Sequence, residues 1–210
     1  MKLHTICGLG AFGTNCYIIE TDRKNAVIID APYSADIISR EIDRLGLSLK
    51  KILLTHGHCD HIEALGGLVE KYGCEVYISE QDAEMLTSRR LCLAEYFGSE
   101  FAPFYGAKTL KDGDTVSLDG EELTVLSTPG HSDGSVCYIH KDAVFTGDTL
   151  FQGSIGRTDF PNGDFAAEIA SIAKLYNAVG RDCAIYAGHG DASSLSEELE
   201  FNPYLEMLRR

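Results

Sequence analysis

The sequence is poor in basic residues, which argues against a nucleic-acid partner. It has 18 Lys and Arg against 32 Asp and Glu, giving a formal net charge of −14. A chain this acidic repels phosphate backbones, so DNA or RNA binding would need a local basic patch. The sequence offers only the short pairs Arg89-Arg90 and Arg209-Arg210. We therefore predict an acidic enzyme for small molecules and no nucleic-acid partner.

Long apolar segments are also missing. No apolar run approaches the roughly 20 residues that span a bilayer. The first residues, MKLHTIC, lack the apolar core of a secretory signal. We expect no membrane association and a cytoplasmic protein.

The seven cysteines show no CxxC spacing, and their number is odd. This favours reduced thiols over a disulfide framework. Most of those outside residues 55–61 lie in apolar, strand-like contexts and are interpreted as small core residues. They are Cys7, Cys16, Cys74, Cys92, Cys137 and Cys183.

Proline- and serine-rich linkers are absent, and 210 residues suit one domain spanning 1–210. Apolar periodicity predicts a mixed α/β chain whose second half repeats the rhythm of the first, consistent with two packed sheets and outer helices. The predicted strands are 2–7, 16–20, 26–30, 51–54, 75–79, 115–118, 122–127, 135–140, 143–146 and 183–186. The predicted helices are 34–45, 60–72, 80–86, 164–176 and 195–208, the last interrupted by Pro203.

Residues 87–108 are the least regular part of the chain and are rich in aromatics. A loop of this length inside a domain is often functional. The alternative is a loop that simply buries its own aromatic side chains.

Residues 55–61, THGHCDH, place three imidazoles and a carboxylate directly after the apolar strand 51–54. Neutral imidazole and carboxylate are the ligands that zinc, iron and manganese accept. Packing four such groups together would be a poor way to build a core. The run therefore predicts a metal site, with Cys59 as a spacer pointing away from the metals.

Three further ligand-type residues, His131, Asp148 and His189, each follow a predicted strand and a glycine. Strand ends that deliver polar side chains to one edge of a sheet are a common way to build a site. A single histidine would more often have a structural role, but that role does not account for the whole set. The predicted metal ligands are His56, His58, Asp60, His61, His131, Asp148 and His189.

This ordered set, HxHxDH followed by His131, Asp148 and His189, resembles that of the metallo-β-lactamase superfamily over nearly the whole chain. The resemblance implies an αββα sandwich of two pseudo-repeated halves. It assigns His56, His58 and His131 to one metal. It assigns Asp60, His61 and His189 to a second, with Asp148 bridging the two.

Two divalent ions at such a centre, most simply zinc, with iron or manganese as alternatives, would generate a hydroxide nucleophile and polarise a carbonyl group. Asp148 is then a catalytic residue as the bridge between the ions. Asp60 is a second catalytic residue, because its carboxylate can hold the proton of the nucleophile.

Within the superfamily, Asp148 argues against the zinc β-lactamases, which lack this bridging carboxylate. The segment from Gly156 to Phe160, GRTDF, resembles the short glyoxalase II-like hydrolases. The resemblance implies cleavage of S-lactoylglutathione or a related acyl thioester, with Arg157 and Asp159 in the substrate-binding loop. Alternatively, Arg157 and Asp159 pair with each other and stiffen that loop.

The chain departs from the larger glyoxalase II enzymes in two ways. It has His-Gly-His where they usually have three histidines, and we expect no C-terminal glutathione-binding helical domain like theirs. The aromatic segment 87–108 is a candidate substitute for one wall of the pocket.

Two other functions are also compatible with the sequence. A persulfide dioxygenase also carries GRTDF and uses one iron on positions matching His56, His131 and Asp148. The weaker alternative is a non-catalytic metal-binding domain. The sequence does not predict an oligomeric state.

Overall fold

Two six-stranded sheets carry the fold, one from each half of the chain. A computed structural model describes residues 2–209, without the side chains of Met207 and Arg209. The first sheet contains, in spatial order, β1 (Lys2–Leu9), β2 (Thr14–Glu20), β3 (Asn25–Ile29), β4 (Ser48–Leu53), β5 (Glu75–Ser79) and β6 (Lys108–Leu110).

The second sheet contains, in chain order, β7 (Thr115–Leu118), β8 (Glu121–Ser127), β9 (Val136–His140), β10 (Ala143–Gly147), β13 (Ala184–Ala187) and β14 (Ser193–Ser194). A separate pair consists of β11 (Leu150–Phe151) and β12 (Ser154–Ile155). In space the second sheet runs β14-β13-β10-β9-β8-β7.

The helices are α1 (Ala35–Arg44), α2 (Cys59–Ile62), α3 (Leu65–Tyr72), α4 (Ala94–Phe97), α5 (Phe165–Val179) and α6 (Leu195–Phe201). Short 3₁₀ helices cover Ala83–Thr87 and Pro203–Arg209. No helix within residues 2–209 combines the length and the apolar character needed to cross a membrane.

The alternation of side chains along the strands explains the four layers. In β2, β3 and β4, Ile18, Ile28 and Ile52 pack with α1, α2 and α3. Their neighbours in these strands face the second sheet and pack with Tyr138 and Phe145. The opposite face of the second sheet packs against α5 and α6. These three apolar layers confirm the predicted αββα sandwich.

The predicted helix 60–72 is wrong, because it is two helices, α2 and α3. The carbonyl of His61 accepts the amide of Ala31 at 2.8 Å, and the amide of Ala64 donates back to the Ala31 carbonyl at 2.9 Å. These bonds to the segment after β3 replace the intrahelical ones. A sequence pattern cannot show such tertiary partners, so the apolar spacing predicts one continuous helix.

Other differences are smaller. The predicted helix 80–86 is the 3₁₀ helix Ala83–Thr87, and the short strands β6, β11, β12 and β14 were missed. All seven cysteines are free, as expected. Cys7 is exposed rather than in the core, because β1 is an edge strand, whereas the other five predicted core cysteines are buried.

The fold supports a stability prediction at Tyr138, which lies fully buried between the sheets. Its hydroxyl donates to the Leu54 carbonyl at 2.8 Å, just before residues 55–61. Tyr138→Phe leaves that buried carbonyl without this donor. We expect urea denaturation to show a loss of about 1–3 kcal/mol in unfolding free energy. Tyr105→Phe, at a residue 76% exposed, is the control and should change nothing. Equal stability of both variants would contradict the role of the hydroxyl.

Candidate metal centre

All seven predicted ligands lie at one edge of the sandwich. β3 runs parallel to β4, and β10 runs parallel to β13, so their carboxyl ends meet on the same side. The run 55–61 follows β4, Asp148 follows β10 and His189 follows β13. His131 arrives through the loop that follows β8.

The first group of ligand atoms comes from His56, His58 and His131, whose candidate donor atoms lie within 4.8 Å of one another. His58 Nδ1 and His131 Nε2 are 2.8 Å apart. His56 Nε2 is buried and has no hydrogen-bond partner within the described residues. Ring nitrogens that converge in this way, one of them unpartnered, fit a divalent cation between them.

The second group comes from Asp60, His61 and His189, again within 4.8 Å. Asp148 lies between the two groups. Its Oδ1 is 3.3 Å from His61 Nε2, and its Oδ2 is 3.5 Å from His131 Nε2 and 3.4 Å from His189 Nε2. The single carboxylate thus contacts ligands of both groups, which is the geometry expected of a bridge.

Four of the five imidazoles are oriented by hydrogen bonds on their outer nitrogen. His61 Nδ1 bonds to Asp30 Oδ2 at 2.8 Å, and His131 Nδ1 to the Arg157 carbonyl at 2.7 Å. His189 Nδ1 bonds to the Phe12 carbonyl at 3.1 Å, and His56 Nδ1 to the Thr55 hydroxyl at 3.1 Å. A proton on Nδ1 leaves Nε2 free to bind metal.

The electrostatics of the site also fit cations. Burial, followed by repulsion from the neighbouring imidazoles, lowers the pKa of His58 to about 3. Burial lowers the pKa of His189 as well, but hydrogen bonds to Asp148 and Asp60 outweigh it and raise that pKa to about 10. Burial also lowers the pKa of His61, but the charges of Asp60 and Asp30 outweigh it and raise that pKa well above its usual value. Before cations bind, protons on His189 and His61 therefore balance the carboxylates. Metal ions would take the place of these protons.

Strand β2 fixes the second group. The Thr14 hydroxyl donates to Asp60 Oδ2 at 2.9 Å. The side-chain amide of Asn15 donates through Nδ2 to the carbonyls of Ala187 and Gly190, on either side of His189, at 3.1 and 2.9 Å. Sequence reasoning missed these supports and Asp30, since nothing in a linear pattern pairs β2 with residues 187–190.

The glycine before His189 shows why that position is restricted. A Cβ on Gly188 would lie 2.3 Å from Asp148 Oδ1 and 2.8 Å from His61 Cε1. No side chain fits there, so the chain can pass directly behind the ligands. This close approach accounts for the glycine before His189.

A cavity of about 320 Å³ opens over the ligands. Phe12, Phe151 and Phe160 line it, and Leu93 and Phe97 of the segment 87–108 complete its wall. Other aromatics of that segment, Phe101 and Phe104, pack on the core instead. Different side chains of this segment therefore line the cavity and pack on the core.

Side chains of the GRTDF loop contact one another. Arg157 forks onto Asp159, with Nε–Oδ1 and Nη2–Oδ2 distances of 2.9 and 2.8 Å. Its guanidinium also lies 4.1 Å from the centre of the Phe160 ring. The predicted pairing that stiffens the loop is present, and Arg157 still lines the cavity.

A larger cavity of about 600 Å³ lies beneath the segment 87–108, lined in part by Cys59, Glu63 and Phe104. None of the seven candidate ligands lines it. Cys59 itself is buried and belongs to no candidate ligand group among the described residues, which agrees with its predicted role as a spacer.

The comparison with known families gives the same result as the geometry. Residues 9–189 match the metallo-β-lactamase superfamily. The chain belongs to this superfamily. It is 39% identical over 201 residues to the hydroxyacylglutathione hydrolase GloC of Haemophilus influenzae, covering 93% of this chain and 94% of that protein.

Two solved structures of the superfamily are close in shape. The BLEG-1 B3 metallo-β-lactamase superposes with a TM-score of 0.89 at 31% identity, covering 98% of this chain and 100% of that one. The protein TTHA1623, solved in a di-iron-bound form, superposes with a TM-score of 0.86 at 33% identity, covering 96% and 100%.

One buried acid near the centre has no counterpart in the sequence predictions. Glu168 of α5 is fully buried, and neither carboxylate oxygen has a hydrogen-bond partner among residues 2–209. Its Oε2 lies 2.3 Å from where a Cβ on Gly130, beside His131, would be. Burial raises the pKa of Glu168 to about 9, and the nearby charge of Asp148 adds to this shift.

This pKa predicts a pH-dependent stability. The folded pKa exceeds the usual 4.5, so the stabilisation due to the neutral acid is complete below pH 4.5. It is lost as the pH rises toward 9. Glu168→Gln cannot ionise. As the pH rises, we expect its unfolding free energy to increase relative to that of the native protein by several kcal/mol, since each pKa unit corresponds to about 1.4 kcal/mol. Urea denaturation of metal-free protein from about pH 5 to 8 measures this.

The control for this prediction is Glu200→Gln, at an exposed position on α6. It should follow the native pH profile throughout. A Glu168→Gln profile parallel to that of the native protein would show that Glu168 does not stay protonated on folding.

Proposed function

We propose that this superfamily member is a binuclear metal-dependent thioester hydrolase of the glyoxalase II type. Its substrate would be S-lactoylglutathione or a related acyl thioester, cleaved by one cytoplasmic catalytic domain. The observation that supports this proposal most strongly is the position of Asp148 between two complete ligand groups. The similarity to GloC, named a hydroxyacylglutathione hydrolase, supports the reaction class.

The ligand groups define where the cations would bind. His56, His58 and His131 would hold one ion, while Asp60, His61 and His189 would hold the other, with Asp148 shared. When bound, two such ions lower the pKa of a water molecule and polarise the carbonyl of the substrate. The donor set suits zinc and also iron, which the related TTHA1623 binds as a pair.

The protein's own side chains have distinct tasks in this proposal. The aromatic wall of Phe12, Phe97 and Phe160 excludes water from around the thioester. Thr14 fixes one oxygen of Asp60 and so orients this carboxylate. We assign Asp60 to take the proton from the attacking water and pass it to the sulfur as the carbon–sulfur bond breaks. Acid and thiol leave as products.

Three other functions make different predictions. Persulfide oxidation would use a single iron and consume oxygen. The similarity to BLEG-1, named a B3 metallo-β-lactamase, suggests lactam hydrolysis as a second alternative. A non-catalytic domain would bind metal without turnover. The completeness of the second ligand group favours hydrolysis with two ions over the single-iron function.

Thioester hydrolysis is the first test. Protein of measured metal content should release free thiol from S-lactoylglutathione faster than it opens nitrocefin, and should consume no oxygen with glutathione persulfide. Asp148→Ala should lose at least about 100-fold in kcat/KM, because the shared carboxylate is gone. A protein with two metals per chain that cleaves no thioester would refute the proposal. Oxygen uptake with one iron would support the dioxygenase.

Arg157 provides a test of substrate binding. If its guanidinium binds a substrate carboxylate, Arg157→Ala should raise KM for S-lactoylglutathione about tenfold with a smaller change in kcat. Asp159→Asn is the matched variant, since it breaks the same ion pair but keeps the cation. It should leave KM unchanged or lower. Equal increases in KM for both would show that the pair only stiffens the loop.

A further inference from the structure

A buried carboxylate lies between the two loops that carry the first ligand group. Asp82 follows β5 and begins the turn into the 3₁₀ helix Ala83–Thr87, and its exposed fraction is 0%. It does not line the cavity over the ligands, so it has no direct access to substrate. Neither the predicted ligand set nor the proposed reaction uses it.

The three side-chain hydrogen bonds of Asp82 join different parts of the centre. Oδ2 accepts the Gly57 amide at 3.1 Å and the Ser132 hydroxyl at 2.7 Å, while Oδ1 accepts the Gly134 amide at 2.9 Å. Gly57 separates His56 from His58, and Ser132 follows His131. One carboxylate therefore ties together the loops of all three imidazoles. All its partners are donors, which matches an ionised carboxylate.

The packing around Asp82 leaves this arrangement little freedom. A Cβ on Gly134 would lie 2.5 Å from Asp82 Cγ, and a Cβ on Gly57 would lie 2.5 Å from Met85 Cβ. The turn 82–85 is thus wedged against both ligand loops at positions where no side chain fits. This contact also gives a physical reason for glycine at the centre of His-Gly-His.

The second ligand group has different supports. Thr14 bonds to Asp60, Asn15 to the carbonyls around His189, and Asp30 to His61. Within residues 2–209, no hydrogen bond of Asp82 reaches any of these residues. Asp82 therefore supports the loops of the first group alone, whereas Asp30 reaches both groups, because the Thr55 hydroxyl beside His56 Nδ1 donates to its Oδ2 at 2.9 Å.

We propose that Asp82 is a positioning residue for the first metal, setting the affinity of the His56, His58 and His131 group without setting that of the second group. The inference rests on the binuclear site of the proposed function. Partners outside the ligand shell orient the ligands, and their loss commonly costs about 10–100-fold in metal affinity.

Asp82→Asn is the main variant, because it keeps the shape of the side chain but turns one acceptor oxygen into an amide donor. That donor must then face the Gly134 amide, or the Gly57 amide and the Ser132 hydroxyl. We expect one of two zinc ions to bind about 10–100-fold more weakly and the other to bind as in the native protein. Competition with a chromophoric chelator measures both affinities without any activity assay.

Two controls separate positioning from a general effect on the fold. Thr14→Val removes the hydroxyl from Asp60, so it should weaken the other zinc ion. Glu84→Gln changes an exposed charge on the same 3₁₀ helix and should alter neither affinity. In the cobalt-substituted protein, Asp82→Asn and Thr14→Val should lose different parts of the visible spectrum.

Unchanged zinc affinities in Asp82→Asn, or equal losses at both sites, would overturn the inference. If this variant does not fold, Ser132→Ala decides, because it removes one donor and keeps both amide contacts. It should then show a smaller loss at one ion alone, and no loss would refute the role of Asp82. If the native protein binds a single zinc ion, the binuclear proposal fails, and Asp82 is judged on whether its variant weakens that ion.

Discussion

The structure depends on bringing imidazoles and carboxylates together at one edge of the sandwich, out of bulk water. Buried polar groups are costly unless they have partners, and these groups must keep their inward atoms free. The protein meets this constraint with hydrogen bonds to those ligand atoms that point away from the centre. Asp30, Thr14, and the carbonyls of Phe12 and Arg157 bind the outward atoms of the ligands. Inward atoms such as His56 Nε2 remain without a partner in the described chain.

Both halves of the chain are needed for this arrangement. The first sheet delivers the run 55–61, and the second delivers His131, Asp148 and His189 at the same edge. Contacts that cross between the halves hold the ligand loops in register. Examples are the bond from the Val136 amide to the Thr55 carbonyl at 2.9 Å and the bonds from Asn15 to residues around His189. The centre therefore forms only when the two sheets pack.

The convergence of the seven candidate ligands was predictable from sequence, because polar residues at strand ends are a local signal, and the four-layer fold followed from the resemblance of that set to a known superfamily. The supports of the ligands were not. Asp82 is ordinary in the sequence, and its role appears only when Gly57 and Gly134 meet it in space. The break between α2 and α3 had the same origin, since Ala31 supplies the competing backbone bonds. Likewise, a buried acid such as Glu168 cannot be told from a surface one by helical spacing alone.

The central claim is that the reaction needs two metal ions that share Asp148. The most direct measurement is a titration of metal-free protein with zinc, with thioester hydrolysis followed after each addition. We expect most activity to appear with the second equivalent and to stop rising near two ions per chain. Full activity at one ion per chain, with no further rise, would contradict it.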